Sequence, residues 1–126
     1  MNLAYDEIIE RSKEPLFEGV LEDPDIITKD SNPLCGDEIE VFIQMQDNKI
    51  SNIKFKSRGC SISKVSMDMI AENLIGKTTE EVLQTGNEAI LNVIGIKLSA
   101  MRVKCALLGL VAIKKGMEKW RNGTGN

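Results

Sequence analysis

The chain has 126 residues, with 16 Lys and Arg against 19 Asp and Glu, for a formal net charge of −3. That length fits one domain over residues 1–126, able to bury about two-thirds of its extended surface around one core. Acidic and basic residues are interspersed, and the densest basic stretches, Lys54 to Arg58 and Lys114-Lys115, read as solvated faces rather than the stripe that displaces counterions from nucleic acid.

Tyr5 to Lys13 predicts a short helix, ended by Pro15, because proline disfavours helical geometry in the residue before it. The segment before it has neither a basic start nor an apolar core, so it does not read as a signal peptide. Asp23-Pro24-Asp25 predicts a turn, and Ile26-Ile27-Thr28 a short β-branched strand. Lys29 to Leu34 reads as a polar loop delivering Cys35-Gly36-Asp37.

From Glu38 to Gln46 the sequence alternates, with Ile39, Val41, Ile43 and Met45 on one face and Phe42 as the exception. Period two predicts a half-buried strand. Asp47-Asn48 predicts a tight turn into a second alternating strand, with Ile53 and Phe55 inward. The two form an antiparallel hairpin, with Ile26 to Thr28 as a third strand.

Ser57-Arg58-Gly59 ends the hairpin and Cys60 begins a helix, in which Ile62, Val65, Met69, Ile70 and Leu74 form a buried stripe. Met67 and Met69 read as core. Gly76 is the stop, and Thr78 to Glu81 fits a capping box for a short helix through Leu83. A further short turn follows, with Asn87 as its cap and Gly95 as its end. Ile96 to Met101 reads as a linker. The last helix is expected from about Arg102 to Trp120, with Ala106, Leu110, Ile113, Met117 and Trp120 on one face. Its longest apolar run, Cys105 to Ile113, is far short of the roughly 20 residues that span a bilayer. The expected architecture is α+β, a single domain with a three-stranded antiparallel sheet and helices packed on one face. The chain reads as soluble and cytoplasmic, with no nucleic-acid or membrane partner.

There are three cysteines and no histidine. An odd, small count does not suit a disulfide framework, and the lack of histidine excludes Ser-His-Asp and Cys-His machinery within this chain. Cys35 precedes a strand, Cys60 starts a helix, and Cys105 is expected in the first turn of the last helix. Helix N-termini favour thiolate over thiol. The hairpin can bring Cys35 and Cys60 to one sheet end, and Cys105 joins them there if the last helix begins nearby. Asp37, two residues from Cys35, projects to the same side as that cysteine on an extended segment. Three thiolates and a carboxylate make a four-ligand set suited to zinc or to iron–sulfur. The plainer alternatives stay open: each cysteine as a core filler, and Asp37 as a solvated loop carboxylate.

At these residues the chain resembles the NifU/IscU/SufU family of iron–sulfur scaffold proteins. The resemblance rests on Asn32-Pro33-Leu34-Cys35-Gly36-Asp37, Gly59-Cys60-Ser61-Ile62-Ser63 and Arg102-Val103-Lys104-Cys105, in matching order over nearly the whole chain. It implies that Cys35, Asp37, Cys60 and Cys105 bind iron as a transient [2Fe–2S] cluster, or zinc as the resting metal. It implies a cysteine desulfurase that delivers sulfur as a persulfide, with Cys35 as first choice of acceptor, and iron–sulfur acceptor proteins that take the cluster.

Two departures matter. Lys104 stands where IscU-type members carry histidine, which resembles the SufU branch, and a lysine there can hold a thiolate or persulfide by charge. The chaperone-read Leu-Pro-Pro-Val-Lys segment of the IscU branch is replaced by Ser99 to Lys104, without proline, so the resemblance does not extend to an Hsp70-type chaperone. The 44 residues from 61 to 104 leave no room for the longer insertion usual in SufU members. Three functions compete: a cluster scaffold, a zinc-dependent sulfurtransferase, and an interaction module stabilised by structural zinc.

Overall fold

The computed structural model describes residues 10–32, 36–59, 61–95 and 100–122, apart from the side chains of residue 61 and residues 100–102. Cys35, Cys60, the first part of the expected N-terminal helix and most of the expected linker lie outside the described residues.

Three strands, β1 (Ile26–Asn32), β2 (Asp37–Gln46) and β3 (Lys49–Arg58), form an antiparallel sheet in the order β1-β2-β3. Asp47 and Asn48 both take positive φ, 54° and 63°, which gives the hairpin a turn whose twist matches that of its strands. The alternation expected for β2 holds at Ile39, Val41 and Ile43, which are buried, and Met45 is partly buried against the core; Asp37, ahead of them, is buried too. In β3, Ile50 and Ile53 are three residues apart, so strict alternation would set them on opposite faces. A bulge resolves this. Gln44 pairs with Asn52 and Met45 with Ile50, leaving Ser51 as the extra residue, and both isoleucines are buried.

β1 is longer than the expected Ile26 to Thr28. Lys29 to Asn32, expected as loop, continue the strand, paired in register with Glu40 to Asp37. The polar residues are tolerated because β1 is an edge strand, where charge also discourages pairing with other chains.

Among the described residues four helices follow: α1 (Ser61–Leu74), α2 (Thr79–Gln84), α3 (Asn87–Ile94) and α4 (Ala100–Asn122). The core lies between one face of the sheet and these helices, with Phe55, Ile43, Ile53, Met67, Ile70, Leu110, Ile113 and Met117 fully buried. Thr78 caps α2 and Glu81 returns the bond, as the capping box predicts. α3 is capped by Gly86, with Asn87 its first residue rather than its cap. α4 starts at Ala100, earlier than expected, because Ala100, Met101 and Arg102 are good helix formers with no stop signal between them.

β1 and α4 meet closely. Thr28 Oγ1 donates to the Ala112 carbonyl oxygen at 2.9 Å, in the buried interface. Ahead of the sheet, residues 10–13 are helical and the helix ends before Pro15. The segment after it is pinned to α1 by Asp68, whose buried carboxylate accepts from Arg11 Nε at 2.6 Å, Leu16 N–H at 3.1 Å and Phe17 N–H at 2.7 Å. Burial alone would lower the Arg11 pKa, but hydrogen bonds to Asp68 and Glu72 outweigh it and raise the pKa. Phe17 and Gly19 in turn hydrogen-bond the backbone of Phe55, so the segment lies along the free edge of β3. Among the described residues no helix is long and apolar enough to cross a membrane.

Candidate metal centre

β2 begins with Asp37, on the face that carries Ile39 and Val41 into the core. Its carboxylate is therefore drawn under the sheet end and is only 1% exposed, which removes the solvated-loop alternative. A buried carboxylate needs partners, since desolvation without hydrogen bonds costs several kcal/mol, on the order of 2–7 even for a neutral polar group. Ser63, the third residue of α1, supplies one: its Oγ donates to Asp37 Oδ2 at 2.8 Å.

Two glycines shape the approach. Gly36 takes φ +72° and its N–H donates to the Asn32 carbonyl at 2.9 Å, closing the turn between β1 and β2. Gly59, just past β3, has φ +136°, and a Cβ there would overlap Asp37 Oδ1 and stand 2.8 Å from Asp37 Cγ. The carboxylate packs into the space where a side chain on residue 59 would be.

Cys105 is buried at 2% exposure. It sits in the second turn of α4, not the first as expected, because the helix starts five residues before it. A helix terminus therefore does less for its thiolate than the sequence suggested, as the terminal field falls off within the first turn. The Ser63 hydroxyl also approaches the Cys105 carbonyl oxygen, at 3.4 Å, so one side chain spans Asp37 and Cys105. Ser63 thus links the Asp37 carboxylate on β2 to the backbone of Cys105 on α4. Cys35 and Cys60 lie outside the described residues, and among the described residues no group of three or more metal-ligating side chains gathers.

Ser63 is the residue whose role went unread in the sequence. It lies three residues after Cys60, in a motif already singled out, but a serine in a helix gives no signal of its own. Lys104 is exposed and turns away from its buried neighbour Cys105. It lines an open depression of about 390 Å³ with Asn32, Asn87, Leu107, Leu108 and Val111. The basic residues of β3 are interleaved with acids: Arg58 pairs in register with Glu38, and Lys56 with Glu40.

The donor set fits a borderline metal. A buried carboxylate and a buried cysteine at one sheet end, with two further cysteines adjacent in sequence to Gly59 and Gly36, offer the mixture of sulfur and oxygen that zinc or an iron–sulfur cluster accepts.

Residues 4–125 match the family model described as the NifU-like N terminal domain. The chain is 30% identical to an iron–sulfur cluster assembly scaffold protein IscU of Thermotoga maritima, over 93% of this chain and 94% of that protein. It is 31% identical to the zinc-dependent sulfurtransferase SufU of Bacillus subtilis, over 92% of this chain and 90% of that protein. A crystal structure from Fervidobacterium islandicum AW-1, described as a candidate cluster assembly scaffold for the SUF system, superposes with a TM-score of 0.76 at 29% identity, covering 91% of this chain and 97% of that one. With a sheet end that gathers Asp37, Gly59, Ser63 and Cys105, and with these relatives along nearly its full length, the chain belongs to the NifU-like N-terminal domain family.

Proposed function

We propose that this protein is an iron–sulfur cluster assembly scaffold, one domain over residues 1–126 and cytoplasmic. It accepts sulfur from a cysteine desulfurase, holds a [2Fe–2S] cluster transiently on Cys35, Asp37, Cys60 and Cys105, and passes it to acceptor proteins. The observation that carries this reading is the buried Asp37 carboxylate joined to the Cys105 backbone through Ser63. A ligand role accounts for a carboxylate kept out of water at the same sheet end as a buried cysteine. Chain connectivity supports the rest, since Cys60 is one peptide bond from Gly59 and Cys35 is two residues from Asp37.

The carboxylate is the hard member of a soft set. It binds an iron–sulfur cluster less firmly than a fourth thiolate would, which suits a carrier that releases its cargo. Anaerobic incubation with ferrous iron, cysteine, a cysteine desulfurase and a thiol reductant that supplies the remaining electrons for persulfide sulfur to become sulfide should give thiolate-to-iron absorption with two irons and two sulfides bound. Wild-type protein that stays colourless overturns the scaffold reading.

A second reading is favoured by Lys104 and by the SufU relative: a zinc-dependent sulfurtransferase. Zinc would be held by the same four residues and would keep the thiols deprotonated. A cysteine thiolate, Cys35 for preference, attacks the terminal sulfur of the desulfurase persulfide. The S–S bond breaks, the desulfurase thiolate leaves, and this chain carries the new persulfide. Mass spectrometry after incubation with a desulfurase and cysteine should show added sulfur on one cysteine; none on any cysteine excludes this route.

A further inference from the structure

We propose that Ser63 is a positioning residue for Asp37, setting the carboxylate's orientation toward the metal and tying that orientation to the helix that carries Cys105. The inference rests on the metal-site reading above and deepens it.

The geometry assigns the hydroxyl proton. Ser63 Oγ has one proton, and among its contacts with the described residues are Asp37 Oδ2 at 2.8 Å and the Cys105 carbonyl at 3.4 Å. The shorter contact, to a carboxylate, is a charge-assisted hydrogen bond, and the longer one is weak. The proton therefore goes to Asp37. Ser63 is 2% exposed and Asp37 1% exposed, so water does not compete freely for this bond.

A carboxylate held by one oxygen has a defined direction for the other. Gly59 completes the constraint from the opposite side, because its missing Cβ lets the Oδ1 edge settle against its backbone. Hydroxyl on one side and bare backbone on the other fix the carboxylate plane without any bound metal. Metal ligands are commonly oriented by such partners, and losing one costs about 10–100-fold in affinity.

The weak contact to the Cys105 carbonyl gives the serine a second place to donate. If Oδ2 turns away as the carboxylate rearranges, the hydroxyl proton can pass to that carbonyl and Ser63 is not left buried without an acceptor. This lowers the cost of moving Asp37, since a buried hydroxyl left without an acceptor is destabilising.

The test is a double-mutant cycle read with cobalt(II), a coloured substitute for zinc. Apo-protein prepared without oxygen is titrated with cobalt(II) for wild type, Ser63→Ala, Asp37→Ala and the double variant, with urea midpoints measured for each metal-free form. Ser63→Ala should weaken cobalt binding about 10-fold or more. It should also shift the visible d–d bands, which report geometry, while leaving the thiolate-to-cobalt absorption at wild-type strength. In the Asp37→Ala background the same change should alter affinity less than about twofold. Ser63→Thr, which keeps the hydroxyl, should return the wild-type d–d spectrum.

An equal loss in both backgrounds means that Ser63 acts through the fold and overturns the proposal. No loss in either background, or wild-type bands in Ser63→Ala, also overturns it. Wild-type protein that binds no cobalt brings down the metal-site reading itself, and that outcome is distinct from one in which wild type binds and Ser63→Ala binds equally well.

Discussion

An oxygen of the Asp37 side chain occupies the place where a Cβ on Gly59 would stand, and the Asp37 Cα lies only 2.9 Å from that place. The obstruction is partly backbone, so Gly59→Ala cannot be absorbed by a side-chain rotation. The φ of +136° adds strain for any residue with a Cβ. Gly59→Ala should destabilise the fold by about 1–3 kcal/mol and, on the metal-site proposal, lower the zinc that the chain binds. Urea unfolding and metal analysis check this together. An unchanged midpoint with full zinc content would mean that the ends of β2 and β3 yield easily, and that Gly59 does not hold the carboxylate in place.

The contact between α4 and β1 makes a second glycine informative. A Cβ on Gly116 would meet Ile26 Cγ2 at 2.9 Å and two carbons of Thr28 at 3.1 Å. Thr28 cannot easily retreat, because its hydroxyl is bonded to Ala112. Overpacking costs about 1–3 kcal/mol, while the helix preference for Ala over Gly returns about 1. Gly116→Ala should therefore lose about 1 kcal/mol. Gly109→Ala meets mainly the sulfur end of Met67, a flexible side chain, and should be close to neutral. A larger loss at Gly109 than at Gly116 would contradict this ranking.

Asp68 is fully buried on α1 and holds the N-terminal segment through three hydrogen bonds. Asp68→Ala leaves Arg11, whose side chain is 13% exposed, without its buried partner, and leaves two backbone N–H groups short of an acceptor. The loss should be about 3–5 kcal/mol. The local consequence is more specific. Phe55 N–H donates to the Phe17 carbonyl at 3.0 Å, so release of the segment should speed hydrogen exchange at Phe55 before the rest of β3. Unaltered protection at Phe55 would show that the segment stays on the sheet without Asp68.

Much of this fold was readable because local signals agreed. The alternation from Glu38 to Gln46, the Asp47-Asn48 turn and the Thr78 to Glu81 capping box each survive into the structure. What the sequence hid are features decided by partners distant in the chain. Lys29 to Asn32 look like loop until β2 is there to pair with them. The Ser51 bulge is needed only because Ile50 and Ile53 must face the same core. The start of α4 was misplaced because good helix formers carry no boundary mark. At the candidate site, the Cys35-Gly36-Asp37 motif drew attention to Asp37, whereas its burial and its bond to Ser63 depend on where α1 docks against the sheet end.

The cap of α2 carries a pH signature. The backbone N–H of Thr78 donates to the Glu81 carboxylate at 2.9 Å, and this bond, with help from the Thr78 hydroxyl and nearby lysines, lowers the Glu81 pKa below its ordinary 4.5. A carboxyl with a depressed folded pKa contributes stability above its unfolded pKa, and that contribution is lost as pH falls through the folded value. Glu81→Gln keeps an acceptor oxygen but removes the charge. Wild type should be the more stable at neutral pH, and the two melting temperatures should converge in acid below the ordinary carboxylate range. A difference that stays constant down to that range would mean that the cap works without the charge.

Removing the Asp37 carboxylate tests whether it anchors the cluster or lets it go. A carboxylate among thiolates is the ligand with the lowest preference for a soft cluster, and Ser63 gives it a defined resting place on the protein. If it is the point of release, Asp37→Ala should load a cluster anaerobically and then surrender it more slowly. A change of about 1.4 kcal/mol in the release barrier corresponds to a tenfold slower transfer. The measurement is the decay of visible absorption on adding an apo acceptor protein, with an iron chelator as a control for simple loss. Slower decay in Asp37→Ala than in wild type identifies the carboxylate as the releasing ligand. Faster decay, with the urea midpoint of the metal-free form unchanged, would make Asp37 an anchor and place the release step on one of the cysteines.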